Sequence, residues 1–121
     1  MAAQIDRSRW APFLDAVTNS LVGKQAEIEV ISLSLGDQIE AEWTSLIGIS
    51  YDHKSDLIEI ALDKLDHIIR SPRQLSIDQG VGGIVAAIEI VDADGNRQIV
   101  RFKDPLALPA PAQDAPGMAA Q

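Results

Sequence analysis

The chain has no cysteine, only two histidines, and five aromatic residues of the Phe, Tyr and Trp type among 121. Without cysteine there are no disulfides, thiolate metal sites or thiol nucleophiles, which fits a reducing compartment. No apolar run approaches the roughly 18 residues of a spanning helix. No charged n-region followed by an apolar h-region opens the chain, so the expectation is a soluble cytoplasmic protein without a membrane partner. Positive charge is scarce as well: ten Lys and Arg stand against eighteen Asp and Glu.

What is present suffices for one folded unit. The length fits a single domain with a real core, and 46% apolar residues exclude disorder for the bulk of the chain. The net charge of −8 is concentrated. Between Glu27 and Asp66 lie ten acids against Lys54 and Lys64, and the remainder of the chain balances to zero. A phosphate backbone needs cationic contacts, so this acidic segment argues against a nucleic-acid partner. It reads either as a solvated face or as a docking face for a basic partner.

Residues 1–7 carry no pattern and are expected to fray. After Ser8, the positions Trp10, Phe13, Leu14, Val17 and Leu21 form the stripe of an amphipathic helix. Pro12 is tolerated only in a first turn, which places the helix start near Arg9 to Ala11. Gly23 is a natural left-handed C-terminal cap.

From Ala26 the period changes to two. Ala26, Ile28 and Val30 bury one face of a strand, and Gly36-Asp37 turns the chain. Ile39, Ala41, Trp43, Ser45, Ile47, Ile49 and Tyr51 then keep one parity over an unusually long strand. Such a strand must bend, and Ser45 and Gly48 are the expected places. Asp52 to Asp56 is a polar turn. It leads to Ile58, Ile60 and Leu62, with Ile47, Ile49, Ile58 and Ile60 expected to share the buried face.

Residues 65–70 fit either a short strand or a helical turn, and Pro72 is expected to hold Ser71 extended. Leu75 and Ile77 mark another strand, followed by a flexible connection at Gly80, Gly82 and Gly83. The last hairpin folds at Asp92-Ala93-Asp94-Gly95-Asn96, where Asp-Gly signals a tight turn. Residues 84–91 are apolar on both faces and belong in the interior of a sheet. Asp104 onward is rich in Pro and Ala, an extended or disordered tail over 107–121 beside a globular domain over 8–106. The fold class is mainly β (α+β). An N-terminal amphipathic helix covers a five- or six-stranded, strongly bent antiparallel sheet or small half-open barrel. Sm-like and SH3-like barrels share that outline as an analogy of fold.

Chemical signals are sparse. His53 sits in an exposed turn. The histidine spacing has no metal specificity, and Asp92 to Asn96 lacks the later bidentate Glu of a calcium loop. No Ser-centred elbow or phosphate-cradling loop occurs, so no catalytic residue, metal or cofactor is assigned. Asp66, His67 and Arg70, with Tyr51, are the candidate ligand-binding residues, since a carboxylate can orient the imidazole and Arg70 can hold an anion. In a helical turn, Asp66 and Arg70 would simply be ion-pair partners.

Gly48-Ile49-Ser50-Tyr51-Asp52-His53-Lys54-Ser55-Asp56, then Asp66-His67-Ile68-Ile69-Arg70-Ser71-Pro72 and Asp94-Gly95, resemble a family of short bacterial proteins known only as a domain of unknown function. Trp10-x-x-Phe13 and Pro105-Leu106 extend the likeness to about residues 8–108. The resemblance implies a stand-alone small bacterial protein and brings no catalytic residues. The leading expectation is a small non-enzymatic interaction or scaffold module, self-associating through a sheet edge or the covering helix. The alternatives are a small-ligand or anion binder at Asp66, His67 and Arg70, and an Sm-like RNA binder, which the charge disfavours.

Overall fold

The computed structural model describes residues 2–20, 24–32, 34, 36–79 and 84–106. The expected cap at Gly23, the glycine connection at 80–83 and the tail at 107–121 lie outside these residues. The order is β1 (Ala2–Ile5), a 3₁₀ turn (Arg7–Arg9), α1 (Trp10–Asn19), β2 (Gln25–Ser32), β3 (Gly36–Asp52), β4 (Leu57–Leu62), β5 (Asp66–Arg70), β6 (Pro72–Gln79), β7 (Val85–Asp92) and β8 (Arg97–Leu106). All strands are antiparallel in one open sheet of order β1-β6-β7-β8-β2-β3-β4-β5. The mainly β class and leading helix hold, but the sheet has eight strands rather than five or six and does not close.

Two of the extra strands explain the difference. β1 lies in the segment expected to fray; it pairs with β6, Ile5 opposite Leu75, and Ile5 is buried. Residues 66–70 resolve as strand, paired with β4 so that Asp66 lies opposite Ala61 and Arg70 opposite Leu57.

The helix obeys its stripe as far as Val17, Leu21 lying outside the described residues. Trp10, Phe13, Leu14 and Val17 are buried, each contributing roughly 1.5–3 kcal/mol by leaving water. Pro12 sits in the first turn, where it costs no helical hydrogen bond. Asp6 caps the 3₁₀ turn by accepting from Ser8 N–H at 3.4 Å.

β3 is the bent strand, and its bends are bulges. Its first half pairs with β2 and its second half with β4. The register shifts twice against β2 and once against β4, between Leu46 and Gly48. Trp43 lies at φ +42, a left-handed conformation costly for a bulky residue. Each extra residue moves the following side chains to the opposite face. The expected single buried parity therefore fails: Ala41, Leu46 and Ile49 are buried, while Ile39 is 51% and Ile47 62% exposed. Ile49, Ile58 and Ile60 do form the buried face of the β3–β4 hairpin.

β5 runs into β6 through one residue. Ser71 has φ +52 rather than the extended conformation expected before Pro72. Its backbone is fully used at this corner: Ser71 N–H donates to Asp56 O and Ser71 O accepts from Ala93 N–H, both at 2.9 Å. Those two bonds hold the strained residue where the chain crosses between the two ends of the sheet.

Candidate functional site: the open edge of the long strand

Because β3 changes partner midway, each half has one side without a strand. The side left open beside the second half is sealed by α1. Ile49 N–H donates to Thr18 Oγ1 at 2.9 Å, and the same hydroxyl donates to Ile49 O at 2.8 Å. Gly48 permits the approach, since a Cβ there would stand 3.2 Å from Thr18 Cγ2. Covering an edge with a helix is a standard protection against pairing with other chains.

The first half has no such cover. From Gly36 to Thr44, β3 pairs with β2 on one side, and on the other no backbone partner occurs among the described residues. Thr44 Oγ1 makes only a long contact to Glu42 O, at 3.4 Å. This edge presents Ile39 and the 37%-exposed Trp43. Its charges are Asp37, Glu40 and Glu42, with no Lys or Arg on the segment. Neither Glu40 nor Glu42 has a cation partner among the described residues.

On the outer face beside it, charges are matched in pairs. Arg101 Nη1 holds Glu29 at 2.7 Å and Glu27 at 3.4 Å, and Arg97 holds Glu89 at 2.6 Å. The hydrogen bond from Arg101 lowers the Glu29 carboxyl below its ordinary value, while the bond shared with Glu29 raises that of Asp37. A shallow cleft of about 390 Å³ lies over β6, β7 and β8, walled by Ser76, Asp78, Glu89 and Arg101. Arg101 is already neutralised there by Glu27 and Glu29, so the cleft offers no free cation for an anionic ligand.

The candidate residues Asp66, His67, Arg70 and Tyr51 do not converge. In strand β5, Asp66 and Arg70 are exposed on one face, roughly 13 Å apart along the strand, too far for an ion pair. His67 points to the other face, where its Nε2 meets Gln98 Oε1 at 2.6 Å. Gln98 Nε2 donates to Asp92 Oδ2 at 3.2 Å, which leaves Oε1 as the acceptor and puts the proton on His67 Nε2. Asp92 also accepts from Asp94 N–H and Asn96 N–H, so its carboxylate organises the β7–β8 turn.

Tyr51 belongs to a separate cluster. Its hydroxyl donates to Asp56 Oδ1 at 3.0 Å and accepts from Arg7 Nη1 at 2.9 Å. Arg7 also reaches Asp56 at 3.1 Å and Pro72 O at 2.8 Å, and its guanidinium lies 4.4 Å from the Trp10 ring centroid. Burial and then the Asp56 bond push the Tyr51 phenol above its ordinary value. Arg7, Gln98 and Thr18 were invisible as partners in the sequence, since the bonds from Arg7 to Tyr51, Gln98 to His67 and Thr18 to Ile49 each span at least 31 residues. Among the described residues no group of three or more His, Cys, Asp or Glu could hold a metal, and no helix is long and apolar enough to cross a membrane.

Fold and site together define a small, open, antiparallel β-sheet in which one half of β3 is sealed by a helix and the other has no second backbone partner among the described residues. Residues 1–111 match the family described as "Family of unknown function (DUF5335)", and the chain belongs to that family. It is 35% identical over 106 residues to an uncharacterized protein of Aquifex aeolicus (strain VF5), covering 87% of this chain and 95% of the relative. No solved structure matches the chain.

Proposed function

We propose that the protein is a non-enzymatic interaction module that takes up an extended, basic segment of a partner protein as an added strand on the open edge of β3. The observation that carries this reading is the contrast along one strand: Thr18 seals the edge at Ile49, while Gly36 to Thr44 has no partner on that side among the described residues, beside exposed Ile39 and Trp43. Strand addition uses such an edge directly, main-chain bonds giving affinity and side chains giving specificity.

Charge selects the occupant. A second copy pairing antiparallel about Glu40 would set Glu40 against Glu40, and like charges directly opposite are destabilising. An incoming strand rich in Lys and Arg instead meets Asp37, Glu40 and Glu42, and a cation can stack on Trp43. The segment after Leu106 is a poor competitor, with no Lys or Arg and with prolines that cannot donate to a ladder.

The test is a titration with a peptide alternating lysine and valine, followed by fluorescence of Trp43; Trp10 is buried and shielded from the ligand. Saturable binding is expected. It should be lost on changing Glu40 and Glu42 together to Lys, and with a peptide of equal charge interrupted by prolines. Equal binding of the proline peptide would reduce the effect to bulk electrostatics and overturn strand addition. Concentration-dependent dimerisation through the same edge would make a second copy the occupant instead.

A further inference from the structure

A second site, independent of the β3 edge, lies where β1 and the 3₁₀ turn meet the start of β6. A cleft of about 430 Å³ is lined by Gln4, Ile5, Asp6, Arg7, Trp10 and Arg73. Two of the ten basic residues of an acidic chain thus face one small concavity.

Both arginines are placed by specific local structure. Arg7 is fixed by bonds to Tyr51, Asp56 and Pro72 O and rests against Trp10, so little rotamer freedom remains to be lost on binding. Arg73 follows Pro72 directly. It is the extra residue where the β6–β7 register shifts between Pro72 and Gln74. A bulge re-aims one side chain out of the alternation of its strand, and here it directs Arg73 to the cleft that Arg7 already lines. Arg73 is exposed and has no acidic partner among the described residues.

The only acid on the wall is Asp6, whose Oδ2 is occupied by Ser8, accepting from its hydroxyl at 2.5 Å and its N–H at 3.4 Å. Gln4 adds an amide to the lining. Arg7 is ion-paired with Asp56 at 3.1 Å and Asp6 is engaged by Ser8, so the cation without an acidic partner among the described residues is Arg73; beside the fixed guanidinium of Arg7 it makes a receptor for a planar or tetrahedral oxyanion.

We infer that this cleft binds a small oxyanion, a phosphate or carboxylate group, between Arg7 and Arg73. Arg73 supplies the charge from the bulge, and Arg7, held by Asp56, Tyr51 and Pro72 O, supplies a fixed donor group beside it.

The test uses the full chain and NMR titration with inorganic phosphate at constant ionic strength set by sodium chloride, with sodium acetate as the second arm. Saturable shifts are expected at Gln4, Arg7 and Arg73. Saturation with phosphate alone assigns a phosphate group, and saturation with both assigns carboxylates as well. Arg73→Gln, at an exposed position, is expected to keep the spectrum of the folded protein and weaken binding by about tenfold or more, as for loss of a charged hydrogen-bond donor. Arg73→Lys should restore part of it. Shifts that rise linearly with both anions, unchanged affinity in Arg73→Gln, or loss in Arg70→Gln instead would each overturn the assignment.

Discussion

The hydroxyl of Thr18 satisfies both backbone groups of Ile49, accepting from its N–H at 2.9 Å and donating to its C=O at 2.8 Å. A single helix side chain thereby stands in for a neighbouring strand. Earlier in the same strand, between Gly36 and Thr44, there is no substitute of this kind among the described residues. The two halves of β3 therefore differ, and the half without a substitute carries the proposed interaction.

Thr18→Val is expected to destabilise the fold by about 1–3 kcal/mol, because two half-buried backbone groups lose their partner while the side-chain shape is kept. Thr18→Ser, which keeps the hydroxyl, should cost less. Urea denaturation of the three proteins measures the difference, and equal midpoints for Val and wild type would show that the bond contributes nothing.

Gly48→Ala places a methyl 3.2 Å from Thr18 Cγ2, and Thr18 is pinned by Ile49. The expected cost is about 1–3 kcal/mol of overpacking. Combined with Thr18→Ser, which deletes Cγ2, the same change should be milder by about 0.5 kcal/mol or more in a double-mutant cycle. Strict additivity would contradict the contact.

Gln98 is 5% exposed and links His67 on β5 to Asp92 at the β7–β8 turn. Gln98→Leu keeps the bulk and leaves the His67 donor and one Asp92 lone pair without this partner. A loss of about 1–3 kcal/mol is expected in thermal or urea unfolding. In the NMR spectrum, the His67 Nε2 proton should exchange faster with water.

The two neighbouring carboxyls of the outer face should be displaced in opposite directions from their ordinary values. Glu29 is lowered by Arg101, so its contribution to stability is present above its unfolded value and is lost as pH falls through the lower folded one. Asp37 is raised by its bond with Glu29, so its contribution is present below its unfolded value and is lost as pH rises through the higher folded one. Carboxyl-carbon NMR should therefore find the Glu29 midpoint below that of an ordinary glutamate and the Asp37 midpoint above that of an ordinary aspartate. Arg101→Gln should move the Glu29 midpoint upward; no movement would separate the shift from Arg101.

Much of the frame was legible in the sequence because it depends on local pattern. The α1 stripe, the β3–β4 turn at His53 to Asp56 and the Asp92 to Asn96 turn each combine periodicity with turn chemistry. Ile47 shows where pattern fails. Bulges flip the faces of β3: the one against β4 falls at Gly48, an expected place, but nothing in Ile39 to Thr44 marks the two against β2. β1 escaped because Ala2-Ala3-Gln4-Ile5 has almost no pattern of its own and exists through pairing with β6, far along the chain. The distribution of the candidate residues was hidden for a similar reason. Asp66, His67 and Arg70 are close in sequence, yet alternation along β5 separates His67 from the other two. The open edge depends on which strand β3 lacks, a property of topology and not of residue type.

Amide hydrogen exchange along β3, with and without the lysine–valine peptide, addresses the strand-addition reading most directly. Added protection at alternating amides between Gly36 and Thr44 is expected, since every second residue of a strand turns its N–H to one neighbour. Ile49, already bonded to Thr18, should not change. Protection confined to β1 or β5, or none between Gly36 and Thr44 at saturating peptide, would contradict it.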